Sequence, residues 1–328
     1  LMYSMNVSAA SGQASIGSKN YATVQKALTA VQNGQTIKLN KDVTLKDTLL
    51  FKKNVTYTFD MNKHKITSKI IDEDKCDLEI KAGKVTFTNG TLNASVFTRK
   101  GAALTVNGGN YKQILNWGKT VVNKGSIVNP KYSAICNYGG TLLVKKATVK
   151  ANYNCVYADA GTVTINGGDF RSYSDATSYP VIYSENATVN LKGGRYVHLY
   201  WKTEAGIVYN KNGKVTISGG DYVGTCASIQ NYGTMSIKGG TFLSENSPIL
   251  HCGSKSTTTV TGGELTSGST ICGIEIDKGR KKFSMTGGTL KTYTVMALVI
   301  CHGDKKNVTL DKKKANLIGE RWADISVQ

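Results

Sequence analysis

The stretch TVTINGGDF at 162–170 alternates polar and apolar residues, passes through two glycines and ends on an acid and an aromatic. The same cadence returns in ALTVNGGNY (103–111), TVNLKGGRY (188–196), KVTISGGDY (214–222) and TMSIKGGTF (234–242), and in shorter form in TTVTGGEL (258–265) and FSMTGGTL (283–290). Degenerate copies without the paired glycines occur at VTFTNGTL (85–92), TVVNKGSIV (120–128), TLLVKKATV (141–149) and VTLDKKKA (308–315). The first glycine falls at 108, 167, 193, 219, 239, 262 and 287, with the degenerate copies filling the long gap. A period in the low twenties is too short for paired-helix repeats and fits one coil of a β-solenoid.

Within a copy the side-chain period is two, so Val163 and Ile165 share a dry face and Thr164 takes the other. The paired glycines mark a corner between sheets, where residues with a Cβ reach the required backbone angles only at a cost. Alternation past the corner turns the next aromatic inward, which predicts an internal stack of Phe170, Tyr196, Tyr222 and Phe242. A second element, Ile or Val followed two residues later by Asn or a small residue, recurs at Ile114, Ile135, Val156, Ile182, Val208, Ile229, Leu250, Ile274 and Val299. It predicts an inward amide column, Asn116, Asn137, Asn210 and Asn231 with Ser184, bonded along the rod.

The chain has 328 residues, 35 Gly and only 3 Pro, which fits one elongated all-β domain. No apolar run reaches the length of a membrane span. Residues 1–17 resemble the remnant of a secretory leader, with Val7-Ser8-Ala9 as a small-residue cleavage site. In YATVQKALTAVQNG, Val24, Ala27, Leu28 and Val31 have helical spacing and Gly34 is a stop, so a short helix is expected to cover the open end of the first coil. Seven cysteines cannot all pair, and Cys252 and Cys301 share an inward column two coils apart, so free thiols are expected. His251-Cys252 and Cys301-His302 each turn adjacent side chains to opposite faces, which argues against zinc, and no metal is expected. The acids Asp72, Glu73, Asp74, Asp77 and Glu79 are the one candidate for calcium, and no other cofactor is implied.

The capping helix, strands such as VTYTFDMNKHKI (55–66) and the serial GG-x-aromatic coils resemble the pectate-lyase-like superfamily, in particular secreted or wall-associated proteins of Gram-positive bacteria. The resemblance implies an all-β fold: a single-stranded right-handed parallel β-helix over residues 18–318, with 319–328 as a tail or cap. It also implies a secreted or cell-surface location. Of the catalytic signatures of polygalacturonases, Asn-Thr-Asp and Asp-Asp have no counterpart, and only Cys301-His302-Gly303 approaches Gly-His-Gly.

With the inward columns fixed, the residue between them faces out, which predicts an exposed ladder of Tyr157, Tyr183 and Tyr209. Two residues further on come Trp117, Tyr138 and Tyr232, with Asp159, Glu185 and Lys211 between. Aromatics flanked by carboxylates and amides suit sugar rings, so these six aromatics are the candidate polysaccharide-binding residues. Asp159 and Glu185 are the candidate catalytic pair if the chain is instead a polysaccharide lyase or glycoside hydrolase. Lys and Arg number 41 against 22 acids, a net charge of +19. The late excess includes Lys281, Lys282, Lys312, Lys313 and Lys314 and points to an anionic polymer such as teichoic acid, a uronate glycan or mucin, ahead of nucleic acid. The expectation is therefore a monomeric, non-catalytic β-helix that binds polysaccharide at a cell surface as an adhesin or wall-associated module.

Overall fold

Alternation does place one side of most strands in a long core. Val163, Val189, Val215 and Met235 lie in register on successive coils and are buried, whereas Thr164, Asn190, Thr216 and Ser236 between the apolar rows are half-exposed. The computed structural model describes residues 12–71, 76–172, 179–199, 206–226, 228–293 and 295–328. Over these it is a parallel β-solenoid of about 12 turns with almost no helix.

One coil shows the plan. Gly206–Asn210 lies on face A, Lys214–Ile217 on face B and Asp221–Gly224 on face C, and each pairs in parallel with the coil before and the coil after. The glycine pair at the B–C corner serves two needs. The second member takes a left-handed backbone, φ being 102° at Gly194 and 104° at Gly220. The first lies against the coil below, where a Cβ on Gly219 would sit 2.6 Å from the Lys192 carbonyl oxygen.

The internal stack is present. Phe170, Tyr196, Tyr222 and Phe242 follow one another with ring centroids 5.1, 4.6 and 4.6 Å apart and planes within 13° of parallel. The two buried phenols are satisfied locally: Tyr196 Oη donates to the Gly193 carbonyl at 2.8 Å and Tyr222 Oη to that of Gly219 at 3.0 Å. In the amide column, Asn116 Nδ2 donates to Asn137 Oδ1 at 2.7 Å and Asn210 Nδ2 to Asn231 Oδ1 at 2.8 Å, all four residues being fully buried. Linked this way, with only the Asn210 Oδ1 acceptor left unpaired, the buried amides add direction to a core that hydrophobic packing alone would leave less specified. All seven cysteines are unpaired, and Ile276 separates Cys252 from Cys301 in their shared column.

The first coil is sealed. Helix α1, Val24–Ala30, is capped by Thr23, whose hydroxyl accepts from Lys26 N, and it buries Val24, Ala27 and Leu28. Gln25 acts as a missing strand: its amide accepts from Leu50 N and donates to Leu50 O, both at 2.9 Å. Beside it Ala14–Ile16 pairs antiparallel with both Lys19–Tyr21 and Thr36–Leu39. Residues 14–16, which the sequence reading included in a leader, are thus part of the folded end, and residues 1–11 lie outside the described residues. At the far end Arg321–Val327, read from sequence as tail or cap, adds a strand to face A by pairing with Val295–Cys301. Among the described residues, no helix is long and apolar enough to cross a membrane.

Candidate functional site: a trough along one corner

The corner between faces A and B carries the outward aromatics. Its own residues are small: Ala102, Gly118, Gly140, Ala187, Gly213, Gly233 and Ser256 occupy equivalent places, each carbonyl of Ala102, Gly118, Ala187, Gly213, Gly233 and Ser256 accepting from the first face-B strand residue of the next coil. At its glycines a side chain would meet the backbone of the preceding coil. A Cβ on Gly118 would lie 2.3 Å from Arg99 O, and one on Gly140 2.4 Å from Gly118 O. The result is a trough floored by backbone, with aromatic rings on the face-A side and a Lys/Thr column on the face-B side that includes Lys84, Lys119, Thr141, Lys214 and Thr234.

Sequence reading placed Tyr157, Tyr183 and Tyr209 in one column and Trp117, Tyr138 and Tyr232 in another. The structure merges them. Phe97, Trp117, Tyr138, Tyr157, Tyr183, Tyr209, Tyr232 and His251 form one ladder with successive centroids 4.7 to 6.0 Å apart. In its middle the rings stack at 5.3 Å with planes 16° and 4° apart, so each central tyrosine has its faces against its neighbours and shows solvent an edge. The three tyrosines of the expected outward ladder are thus half-buried. The outward column also contains Cys136, Gln230 and Ile300, which neighbouring side chains cover to 4, 7 and 2 % exposure.

The trough opens into a cleft of about 530 Å³ at the N-terminal part of the ladder. Trp117 and Tyr138, 4.7 Å apart, line it with Lys84, Lys100, Lys119 and the bare backbone of Gly101, Gly118, Gly139 and Gly140. Arg99 backs the tryptophan, its guanidinium 5.0 Å from the indole and hydrogen-bonded through Nε to Glu79 at 2.6 Å. Burial, with smaller contributions from Cys136 and Asp159, pushes the Tyr138 phenol above its ordinary value, so it remains a neutral donor. The three lysines were not singled out from sequence. They come from degenerate copies and a turn, so no repeated motif flags them.

The acid pair is placed differently. Neither Asp159 nor Glu185 lines the cleft. Glu185 Oε1 accepts from Lys211 Nζ at 2.6 Å and Oε2 from Tyr157 Oη at 3.0 Å. Lys211, then Tyr157, hold its carboxyl below the usual range, the opposite of what a general acid needs. Of the acids considered for calcium, Asp72, Glu73 and Asp74 lie outside the described residues. Glu79 is paired with Arg99 and Lys81, and Asp77 Oδ2 accepts from Ser95 N at 2.7 Å.

The late lysines split. Lys281 is not a polyanion contact: it occupies the trough line that small residues hold elsewhere, is 1 % exposed, and donates to the carbonyls of His302 and Asp304 at 3.2 and 2.9 Å. Lys312 is tied to Asp324, and Lys314 lies 3.8 Å from Asp311. Lys282, Lys312, Lys313 and Lys314 are all exposed. Sequence reading missed a polar cluster just past the ladder, where His251 meets Asp277 at 3.1 Å and His302 meets Glu275 at 3.0 Å. No protein-family model, no curated protein and no solved structure matches the chain.

Proposed function

We propose that the chain is a non-catalytic binding module for an acidic polysaccharide, which lies along the A–B trough with its main contacts in the Trp117 cleft. The observation that carries this reading is the combination of an aromatic wall, a bare backbone floor and three exposed lysines in one open cleft. Pyranose C–H groups pack against the cleft-facing edges of the indole and phenol, hydroxyls bond to peptide groups, and carboxylate, sulfate or phosphodiester groups meet Lys84, Lys100 and Lys119. Uronate glycans, teichoic acids and acidic mucin chains have this chemistry, and a cell surface is where a rod displaying such a trough meets them. Binding is preferred to lyase or hydrolase action because Glu185 is held ionised by Lys211, and it and Asp159 both lie outside the cleft.

The test is calorimetric titration with polygalacturonate, chondroitin sulfate, poly(glycerol phosphate) and a neutral glucan, with a parallel assay for reducing or unsaturated ends. Trp117→Ala should weaken binding of an acidic polymer several-fold at low and high salt, as expected for one aromatic contact of about 1 kcal/mol. Lys84/Lys100/Lys119→Ala should remove the salt-sensitive part. Tyr183→Ala should change affinity less than Trp117→Ala, because Trp117 lines the cleft and Tyr183 lies outside it. Equal affinity of wild type and Trp117→Ala for every polymer defeats the proposal, and release of chain ends replaces it with catalysis.

A further inference from the structure

The third corner, where face C turns into face A, differs from the other two. It carries large apolar side chains in solvent: Tyr132 is 43 % exposed, Tyr179 44 %, Leu199 53 %, Ile271 54 % and Tyr293 56 %, and Trp322, at the start of the last face-A strand, is 87 % exposed. Each of the first five sits on the connection between a face-C strand and the next face-A strand, so all share this corner, in two groups: Tyr132, Tyr179 and Leu199 midway along the rod, and Ile271, Tyr293 and Trp322 on the last three coils, with Thr225, Glu245 and Asn246 on the two coils between. Including Ile71, 94 % exposed on an earlier coil, the line runs roughly 50 Å along the rod at the spacing of stacked strands. Apolar exposure on three consecutive coils, as at Ile271, Tyr293 and Trp322, marks a contact surface.

The chemistry of the line identifies the contact. Lysine ammoniums accompany the tips: Lys131 Nζ stands 5.0 Å from the Tyr132 ring centre and Lys291 Nζ 5.5 Å from that of Tyr293, and Lys69 is exposed two residues before Ile71. Phenol, indole and aliphatic ends with a cation beside them are the groups that settle at the boundary of lipid head groups and acyl chains, where the lysine stem lies along the apolar surface and its head reaches phosphate. Two copies would bring together rods of net charge +19.

We propose that the C–A corner docks the protein on an anionic lipid bilayer surface, with its aromatic and aliphatic tips in the head-group layer and Lys69, Lys131 and Lys291 against lipid phosphates. The A–B trough is on a different corner and remains open in the docked state. This inference is independent of what the trough binds.

The test is co-sedimentation with vesicles of pure phosphatidylcholine and of phosphatidylcholine containing about one third phosphatidylglycerol. Wild type should bind the second and far less of the first. Ile271/Tyr293/Trp322→Ser, whose side chains are exposed and whose fold is checked by circular dichroism, should bind the anionic vesicles about tenfold or more weakly. Lys131/Lys291→Gln should lose a few-fold, mainly at low salt. The proposal is overturned if wild type fails to bind anionic vesicles. It is equally overturned if the apolar triple variant binds them as well as wild type, which would assign the attraction to lysines elsewhere on the rod. Sedimentation equilibrium without lipid supplies the third arm: a dimer that the triple variant abolishes would make a second copy the occupant and end the membrane reading.

Discussion

Tyr222 offers a direct test of the column logic. Its ring is fully buried between Tyr196 and Phe242, with centroids 4.6 Å away on both sides, and its hydroxyl donates to Gly219 O at 3.0 Å. Removing the ring and removing the bond should therefore have separable costs. Tyr222→Phe deletes only the hydroxyl, and Phe170 and Phe242 already occupy the same inward place, so the loss should be about 1 kcal/mol. Tyr222→Ala opens a cavity in the stack and should cost about 3 to 5 kcal/mol. Urea unfolding followed by far-UV circular dichroism reads both as midpoint shifts at unchanged slope. If Tyr222→Phe is as damaging as Tyr222→Ala, the phenol-to-carbonyl bond rather than ring burial holds the corner. If Tyr222→Ala costs less than about 1 kcal/mol, the inward column is not the core and the packing argument fails.

Thiol reagent should label two cysteines quickly in the folded protein, the partly exposed Cys76 and Cys226, and all seven after unfolding without reductant, and fewer than seven would mean that disulfides exist. Burial raises Cys136 to about 11 and Cys252 and Cys272 to about 12. Because the folded values are raised, this contribution to stability is full below the unfolded thiol value near about 8.5 and is lost as pH climbs through about 11 to 12, so the urea midpoint should fall progressively on the alkaline side. Lys281→Met should destabilise by about 1 to 3 kcal/mol, since two carbonyls lose their donor, and leave polyanion affinity unchanged. Lys313→Ala, at an exposed site, should shift the urea midpoint by no more than about 0.5 kcal/mol, and reversal of this order would place Lys281 on the surface after all.

Much of the fold was legible because a solenoid repeats its constraints. The rewriting of TVTINGGDF carries period, strand and corner together, and every copy checks the others, so the Phe170 to Phe242 stack and the amide column follow from counting. Corners were harder. Alternation fixes the direction of a side chain inside a strand, but at the A–B corner the backbone turns, and nothing in the sequence says that Trp117, Tyr138 and Tyr232 swing into line with Tyr157, Tyr183 and Tyr209. Lys281 was misread for the same reason: a lysine among lysines looks solvated, and only its place on a line otherwise held by Gly, Ala and Ser reveals that it points inward. The cleft was invisible because its lysines belong to different, degenerate coils and meet only across the stack.

The sealed first coil also bears on how the chain is made. Every parallel pair joins one coil to an adjacent one, from Ala103 with Lys119 at the shortest step to Leu49 with Leu78 at the longest, so no strand waits for a distant partner. With α1, Gln25 and Ala14–Ile16 in place, the nascent chain has a template before its second turn is translated. At ordinary synthesis rates a new coil emerges every few seconds, roughly one to five, whereas closing a short loop takes well under a millisecond. Each coil can therefore settle on its predecessor before the next one leaves the ribosome. Assembly of this kind runs in one direction and presents a single growing front of unpaired strands, which keeps a chain so rich in β-structure from offering many edges to its neighbours at once.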